Sequence, residues 1–267
     1  ANEDLRLKYR YLDLRRPKMQ TMLKRRAEYY SRMRSYMEQH DFVDVATPIL
    51  ANSSPEGARD FLIPSRVHPG KFYALPQAPQ QFKQLLMVGG VPRYYQMAAC
   101  FRDEDPRADR LYGEFYQLDL EMSFVEQGEE VRQEVEPLIK DLVTDFAGKQ
   151  LVAEDVPRIP YAEAMETYGS DRPDLRFGME LVELSDELKA SGFGVFAKAI
   201  ADGGAVKAIC VKGAASLSRS QIDNFTEIAK SEGAGGLAYL TYAEGEVKSP
   251  IAKFLLEDEL ATIKQKT

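Results

Sequence analysis

The sequence has 267 residues, of which 44% are hydrophobic and 29% charged, and its formal net charge is −7. This composition is typical of a soluble globular protein with material for one large domain or two modest ones. No apolar run approaches the about 18 residues of a membrane-spanning helix, and no signal-type N-terminus is present, so we expect a cytoplasmic protein. Two cysteines and two histidines without paired spacing predict neither a disulfide framework nor a zinc site nor a histidine-based triad.

The N-terminal end is basic although the whole chain is acidic. Residues 1–34 contain eleven Lys and Arg residues against four Asp and Glu residues. Such a surplus fits a surface that faces nucleic acid, and it equally fits an amphipathic helix with a basic solvent face. The sequence leaves both interpretations open.

The first third of the chain predicts an extended segment, a long helix and a short strand. Residues 5–16 alternate apolar and charged residues before Pro17, which favours an extended entry. Residues 18–39 have helix formers and an apolar stripe, and residues 40–50 turn into a strand that stops at Pro48. A helix followed by a blocked strand presents an edge for symmetric pairing, or it lies inside a monomer.

Two further segments carry polar groups at defined places. The turn Pro55-Glu56-Gly57 puts a carboxylate at a loop tip. Residues 75–86 open a helix with Pro79 in its first turn. Gln80 and Lys83 are three residues apart there, so they share one helix face.

Residues 94–124 predict a hairpin with one apolar and one polar face. Residues 94–101 and 115–124 have strand character, and the second run alternates apolar residues with Gln117, Asp119 and Glu121. The connecting loop, residues 102–110, contains three arginines and four acids. A solvated charged turn is the simpler interpretation, but a polar strand face beside an arginine indicates the floor of a small-molecule site.

The remainder predicts a helix over 128–148, a short helix over 160–168, and then β/α alternation without signature chemistry. Residues 179–192 read as helical, 194–201 and 205–213 as strands, 218–232 as a helix and 237–242 as a strand. No phosphate-binding GxxxxGK[ST] run occurs in the sequence.

Several segments resemble one family in the family's order. FRDED at 101–105 followed by GEFYQLDLEMSF at 113–124 resembles the second signature motif of class II aminoacyl-tRNA synthetases, in wording similar to the bacterial aspartyl enzymes. The resemblance extends over almost the whole chain, including LRLKYRYLDLRRP at 5–17 and YGSDRPDLRF at 168–177.

The resemblance implies an α+β fold in two parts. Residues 1–172 would form a partial class II catalytic domain, an antiparallel sheet flanked by helices, with the first motif at about 18–50 and the second at about 94–124. Residues 173–267 would form a smaller, incomplete α/β insertion domain of a kind shared with a subunit of a tRNA-dependent amidotransferase.

The resemblance also implies a reaction, namely ATP-dependent activation of L-aspartate to aspartyl-adenylate and transfer to the 3′ end of tRNA(Asp). Mg²⁺ would assist through ligands outside these residues, and the protein would be a homodimer through about 18–50. By resemblance, Arg102 is the catalytic residue that bridges the substrate carboxylate and the ATP α-phosphate. The implied aspartate-binding residues are Glu56, Gln80, Lys83, Arg102, Gln117 and Asp119, and the implied ATP-binding residues are Arg102, Asp103, Glu104 and Phe115.

The sequence departs from the family pattern in places. The loop at 110–114 is one residue longer than the commonest form, and Leu111 stands where many relatives have a polar ATP contact. The third motif and the anticodon-binding domain are absent, so we expect a piece of an enzyme that is inactive or nearly so alone. Alternatives are a non-catalytic paralogue or binding module, and an asparagine-forming relative.

Overall fold

The computed structural model describes residues 2–54, 56–104, 113–176, 178–243 and 246–267. The chain divides into two compact units, Ala1–Glu154 and Asp155–Thr267. The predicted domain boundary near residue 172 rests on the resemblance and stays a prediction. Among the described residues, no helix is long and apolar enough to cross a membrane.

The first unit combines helices with two small sheets. Its helices are α1 (Glu3–Lys8), α2 (Arg10–Asp13), α3 (Pro17–Gln39), α4 (Gln80–Val88) and α5 (Gly128–Asp141), the last continued by a π-helical turn (Leu142–Phe146). Its strands are β1 (Val43–Asp44), β2 (Leu62–Pro64), β3 (Phe72–Ala74), β4 (Arg93–Phe101) and β5 (Glu114–Met122). The α+β class, the long helix and the two strands of the hairpin agree with the sequence prediction.

The predicted extended entry at 5–16 is wrong, because this segment folds into α1 and α2. The Asn2 side chain caps α1 by accepting a hydrogen bond from the Leu5 N–H at 3.0 Å. The buried Asp13 carboxylate then gathers three guanidinium groups, with contacts of 3.0 Å to Arg6, 2.6 Å to Arg10 and 3.1 Å to Arg16. These ion pairs stabilise the compact helical form of the segment. The alternation of apolar and charged residues therefore does not indicate a strand here.

The main sheet has the strand order β1-β4-β5. Strands β4 and β5 pair antiparallel from Arg93 opposite Met122 to Phe101 opposite Glu114, which is the predicted hairpin. Strand β1 pairs parallel with β4 and contains two residues. It lies at the edge of the sheet, directly after α3.

The hairpin buries its apolar face against helices α3 and α5. The core consists of Met33 and Met37 from α3, Phe42, Tyr95 from β4, Leu138 from α5, and Leu142 from the π-helical turn. Leu118, Leu120 and Met122 of β5 pack against this core. The opposite, polar face of the hairpin therefore points away from the core and towards α4, which contacts both strands.

The second unit is built from small elements around its own core. Its helices are α6 (Tyr161–Tyr168), α7 (Ser185–Leu188), α8 (Gly194–Ala201), α9 (Arg219–Ser231) and α10 (Glu257–Lys266), and its strands are β6 (Leu181–Glu183), β7 (Lys207–Ile209), β8 (Thr241–Ala243) and β9 (Glu246–Lys248). Strand β6 pairs antiparallel with β7, and β8 pairs antiparallel with β9. Buried Leu184, Leu188, Leu255 and Ile263 form the core.

Two predictions in this unit are wrong. Residues 194–201 form a helix, because Phe193, Phe196 and Ile200 reach the core at helical spacing rather than by alternation. The segment predicted as helical at 179–192 contains β6 and only a single turn of helix, since Val182 and Leu184 alternate inward. The predicted helix at 218–232 is present as α9.

Candidate active site

The site face is the polar face of the β4–β5 hairpin. Residues opposite each other in an antiparallel pair share a face, so the register places Gln96 beside Asp119, Ala98 beside Gln117, and Cys100 beside Phe115. The predicted polar row thus becomes one continuous surface with these β4 side chains. Four of its members, Gln96, Ala98, Cys100 and Asp119, are buried.

Lys83 reaches this face from the first turns of α4. Its Nζ lies 3.1 Å from Asp119 Oδ1 and 3.1 Å from Glu121 Oε2, and its side chain is 12% exposed. Burial alone lowers the pKa of Lys83, but the hydrogen bonds and charges of Asp119 and then Glu121 outweigh burial, so the pKa is raised. Lys83 is therefore a fixed cation between two carboxylates.

Glu121 was not among the residues singled out from the sequence for the site. Its place in the period-2 row with Gln117 and Asp119 was the available signal, but alternation alone does not reveal which carboxylates a lysine from another helix will contact.

Asp119 keeps one oxygen free for a further partner. The residue is 9% exposed, and within the described residues its Oδ2 has no hydrogen-bond partner. The Tyr94 hydroxyl, likewise buried without a hydrogen bond there, neighbours Asp119: burial, followed by the charge of Asp119, raises the pKa of Tyr94, and Gln96 opposes this rise. An uncompensated buried carboxylate oxygen is costly, so this pattern fits a cationic group arriving with a ligand.

Arg102 follows the last residue of β4. Its backbone N–H donates to the Gly113 carbonyl at 2.8 Å, which ties the two ends of the hairpin together. Its guanidinium carbon lies 5.0 Å from the centre of the Phe115 ring, and its Nε is buried without a partner among the described residues. The backbone of Arg102 is thus held in place, and its guanidinium Nε–H can still donate to a ligand.

Cys100 and Gln117 are in direct contact on the same face. The thiol Sγ lies 3.2 Å from Gln117 Oε1. Burial, followed by the charge of Asp119, raises the pKa of this thiol to about 11, and the charges of Arg102, Glu56 and Lys83 also act on it. Cys100 therefore contacts one predicted site residue, Gln117, and pairs across the hairpin with another, Phe115.

The loop that carries Glu56 is held at its base by Gln77, which is 2% exposed. Gln77 donates from Nε2 to the Ala58 carbonyl at 2.9 Å and accepts from the Ala58 N–H at 3.2 Å. It also donates to Asp60. Gly57, just before this clamp, has a φ of +88°, a conformation that favours glycine. Glu56 itself is exposed, and sequence reasoning did not find Gln77.

A small cavity of about 110 Å³ lies between this loop and α4. Asn52, Asp60, Gln77, Gln81 and Phe82 are among its lining residues. Its walls do not include Lys83, Arg102 or Asp119. The cavity is therefore distinct from the charged cluster.

The remaining predicted residues lie at the margin of the face. Asp103 and Arg59 exchange hydrogen bonds, from the Asp103 N–H to the Arg59 carbonyl at 2.9 Å and from Arg59 Nε to the Asp103 carbonyl at 3.0 Å. Glu104 is exposed, and Gln80 is the half-buried first residue of α4. Leu111 and the rest of 105–112 lie outside the described residues.

The structure therefore brings Lys83, Arg102, Phe115, Gln117 and Asp119 onto one face, with Glu56 near it. Within the part of the chain that the structure describes, no three His, Cys, Asp or Glu side chains converge on a point that could hold a metal ion. The Mg²⁺ ligands predicted mainly outside these residues stay a prediction.

Solved structures with this fold are class II synthetases. Asparaginyl-tRNA synthetase from Entamoeba histolytica aligns with a TM-score of 0.54 at 18% identity, covering 62% of this chain and 40% of that chain. The Pyrococcus horikoshii enzyme complexed with asparaginyl-adenylate aligns with a TM-score of 0.51 at 23% identity, covering 74% and 46%. At these identities the likeness shows the fold alone, and it agrees with the predicted class.

The chain belongs to the family described as tRNA synthetases class II (D, K and N), whose sequence model matches residues 2–254. The chain is 56% identical to Aspartate–tRNA(Asp/Asn) ligase of Halothermothrix orenii over 267 residues, and 52% identical to the protein of that name from Chlorobium phaeovibrioides over 265 residues. It is 54% identical over 263 residues to Aspartate–tRNA ligase of Clostridium perfringens. These alignments cover 98–100% of this chain and 44% of each relative, so the chain spans less than half of their length.

Proposed function

We propose that the full-length protein is an aspartate–tRNA ligase, which activates L-aspartate with ATP and transfers it to the 3′ end of tRNA(Asp). The observation that carries this proposal is the buried Lys83–Asp119 pair beside Arg102 on one sheet face. The names of the curated relatives at 50–56% identity support the same reaction.

The cluster offers separate partners for the ammonium and for the side-chain carboxylate of an acidic amino acid. Asp119 and Glu121 carry one negative charge more than Lys83 neutralises, and Asp119 Oδ2 is free to accept. The α-ammonium of the substrate would balance that excess at Asp119. Lys83 would then share its charge with the β-carboxylate, and Glu56 and Gln80 would close the pocket around the ammonium and side chain.

Asparagine fits this cluster less well. A neutral amide in place of the β-carboxylate would give the Lys83 ammonium, which Asp119 and Glu121 already hold, a weaker third partner than a carboxylate gives. Lysine would place a second cation beside Lys83. Aspartate is therefore the substrate that we propose.

Arg102 would act on the reacting groups. Its planar fork of donors can span the substrate α-carboxylate and the ATP α-phosphate, which is a task that a lysine point charge performs less well. Phe115 offers the ring face opposite the guanidinium for stacking with adenine. Asp103 and Glu104, next along the chain, would flank the nucleotide, and Gln117 would donate to the substrate carboxylate.

The reaction needs no side-chain nucleophile. The aspartate α-carboxylate oxygen attacks the α-phosphorus, the bond to pyrophosphate breaks, and aspartyl-adenylate forms. A 3′-terminal hydroxyl of the tRNA then attacks the activated carbonyl and releases AMP. This chain's residues would contribute by aligning the two reactants and by placing positive charge where phosphate charge develops.

The proposed assembly is a cytoplasmic homodimer formed through about 18–50. Leu23, Val43, Ile49 and Leu50 are all more than 40% exposed in this segment. Edge strand β1 lies among them. Several exposed apolar residues in one segment, together with a free strand edge, are typical of a protein interface.

Aspartate-dependent exchange of pyrophosphate into ATP by the full-length protein tests the proposal. We expect exchange with aspartate and not with asparagine or lysine, and an Arg102→Gln variant should lose about 10²–10³ in rate. Exchange that prefers asparagine would contradict the substrate, and no exchange with any amino acid would favour a non-catalytic paralogue. Charging assays with tRNA(Asp) and tRNA(Asn) show whether the protein charges one of these tRNAs or both.

A further inference from the structure

Cys100 takes no part in the proposed reaction, yet it lies within the site. Its side chain is 0% exposed, and its Sγ is 3.2 Å from Gln117 Oε1. The Ala98 carbonyl, at 3.7 Å, is the more distant acceptor for the same proton. The nearer contact therefore joins a buried thiol to Gln117, the side chain that we propose to bind the substrate carboxylate.

The Cys100 thiol is protonated at neutral pH and can therefore donate a hydrogen bond. Its raised pKa of about 11, caused first by burial and then by the charge of Asp119, keeps the proton on sulfur at neutral pH. A buried thiol of this kind is chemically inert, so its value to the site is the proton that it offers.

A thiol proton decides which way a glutamine amide faces. The amide has an accepting oxygen and a donating NH₂ group on opposite sides. With Oε1 turned to the thiol, both N–H groups point away from Cys100. With the amide reversed, an uncompensated oxygen would face the substrate carboxylate, which is repulsive.

The space next to Gln117 is built for a ligand. Asp119 is 9% exposed with Oδ2 unpartnered, and Arg102 Nε is buried without a partner among the described residues. Asp119 lies on the same hairpin face as Gln117, and the Arg102 guanidinium contacts the ring of Phe115 on that face. The Gln117 NH₂ group therefore shares a face with an acceptor that calls for a cation, Asp119 Oδ2, and lies near a donor that calls for an anion, Arg102 Nε.

We infer that Cys100 is a positioning residue, which holds the Gln117 amide so that its NH₂ group faces the substrate carboxylate. This inference rests on the proposed function for the identity of the carboxylate, whereas the Cys100–Gln117 contact stands by itself.

Kinetics of the full-length protein test the positioning. Cys100→Ala should lower kcat/KM for aspartate in pyrophosphate exchange by about three- to tenfold, as expected for a lost hydrogen bond, and Cys100→Ser should retain most of the activity because it keeps a donor. In a Gln117→Leu background, Cys100→Ala should cause no further loss. Cys210→Ala, at the other cysteine, should match the unsubstituted protein.

The opposite kinetic results would overturn the inference. Equal losses from Cys100→Ala with and without Gln117 would mean that the thiol acts through packing alone. An unchanged kcat/KM in Cys100→Ala would mean that the amide needs no such partner.

The contact has a second readout that requires no activity. In the 267-residue protein, Cys210→Ala leaves Cys100 as the single thiol, and its S–H stretching band can be followed by infrared spectroscopy. Gln117→Leu should move this band to higher frequency, because the thiol loses its acceptor; an unmoved band would overturn the inference. Failure of aspartate exchange in the unsubstituted protein would contradict the proposed function instead and would leave this measurement decisive for Cys100.

Discussion

Lys83 illustrates how single residues set the chemistry of this site. Two carboxylates from one strand hold its ammonium at 3.1 Å each. Partly buried ion pairs of this kind contribute little net stability, but removing one partner leaves the others uncompensated. The cluster therefore makes the site intolerant of a neutral residue at position 83.

We predict that Lys83→Met lowers kcat/KM for aspartate activation in the full-length protein. The expected loss is about 2–5 kcal/mol of transition-state stabilisation, because Asp119 and Glu121 lose their cation and the substrate loses its partner. Aspartate-dependent pyrophosphate exchange measures this change in kcat/KM. Gln84→Met, at the exposed next position of α4, is the matched control. Near-normal aspartate activation by a folded Lys83→Met protein would rule out this role.

Asp13 leads to a prediction about pH. Hydrogen bonding from Arg6, followed by the opposing effect of burial and then by Arg16 and Arg10, lowers its pKa from 3.8 to about 2. A carboxylate with a depressed folded-state pKa contributes stability that is present above pH 3.8 and is lost as the pH falls towards 2.

We therefore expect Asp13→Asn to lower the Tm at pH 7, and the difference from the unsubstituted protein to shrink between pH 4 and pH 2. Thermal unfolding followed by circular dichroism across this range measures both. A Tm difference that stays constant down to pH 2 would show that the arginine contacts do not stabilise the fold through charge.

At the scale of elements, the β4–β5 hairpin divides two tasks between its faces. Tyr95, Leu118 and Leu120 bind α3 and α5 into the core, while Gln117 and Asp119 of the same hairpin form the site. Because side chains alternate along a strand, a shift of one residue in register would exchange the faces. The core therefore fixes the position of the site.

We predict that Leu138→Ala in α5 lowers the free energy of unfolding by about 2–5 kcal/mol, because this side chain is fully buried in that core. Denaturant unfolding gives the value. Ile139→Ala, at the next residue and 48% exposed, should change the free energy by less than about 0.5 kcal/mol. Equal effects at the two positions would contradict the described packing.

At the scale of the whole molecule, the exposed apolar residues around α3 and β1 call for a partner surface. Val43 is 50% exposed and Ile49 is 48% exposed. A second copy of the chain, paired by symmetry along this edge, would cover them.

We expect the protein to sediment as a dimer and the double variant Val43→Lys/Ile49→Lys to sediment as a monomer, since each lysine would have to be buried unpaired. Val152→Lys, at an 87% exposed residue of the same unit outside the proposed interface, should leave the dimer intact. A double variant that remains dimeric in sedimentation velocity would place the interface elsewhere.

Local sequence patterns predicted several elements of this protein correctly. Helix α3 and strands β4 and β5 were predictable because each has enough residues for its period to show. The arginine, lysine and carboxylates of the site were predictable because they lie in segments that resemble the family's motifs and follow the family's order. Residues 5–16 and 194–201 were misread, because short segments take their form from the partners that they meet.

The sequence by itself determined the family, the two-faced hairpin and most of the residues assigned to the site. Only the tertiary structure decided that Lys83 lies between Asp119 and Glu121, that Gln77 clamps the Glu56 loop, and that Cys100 meets Gln117. These contacts join residues that are 17 to 38 positions apart in the sequence. Periodicity reports which face a residue occupies within its own element, whereas the packing of one element on another decides what that residue touches.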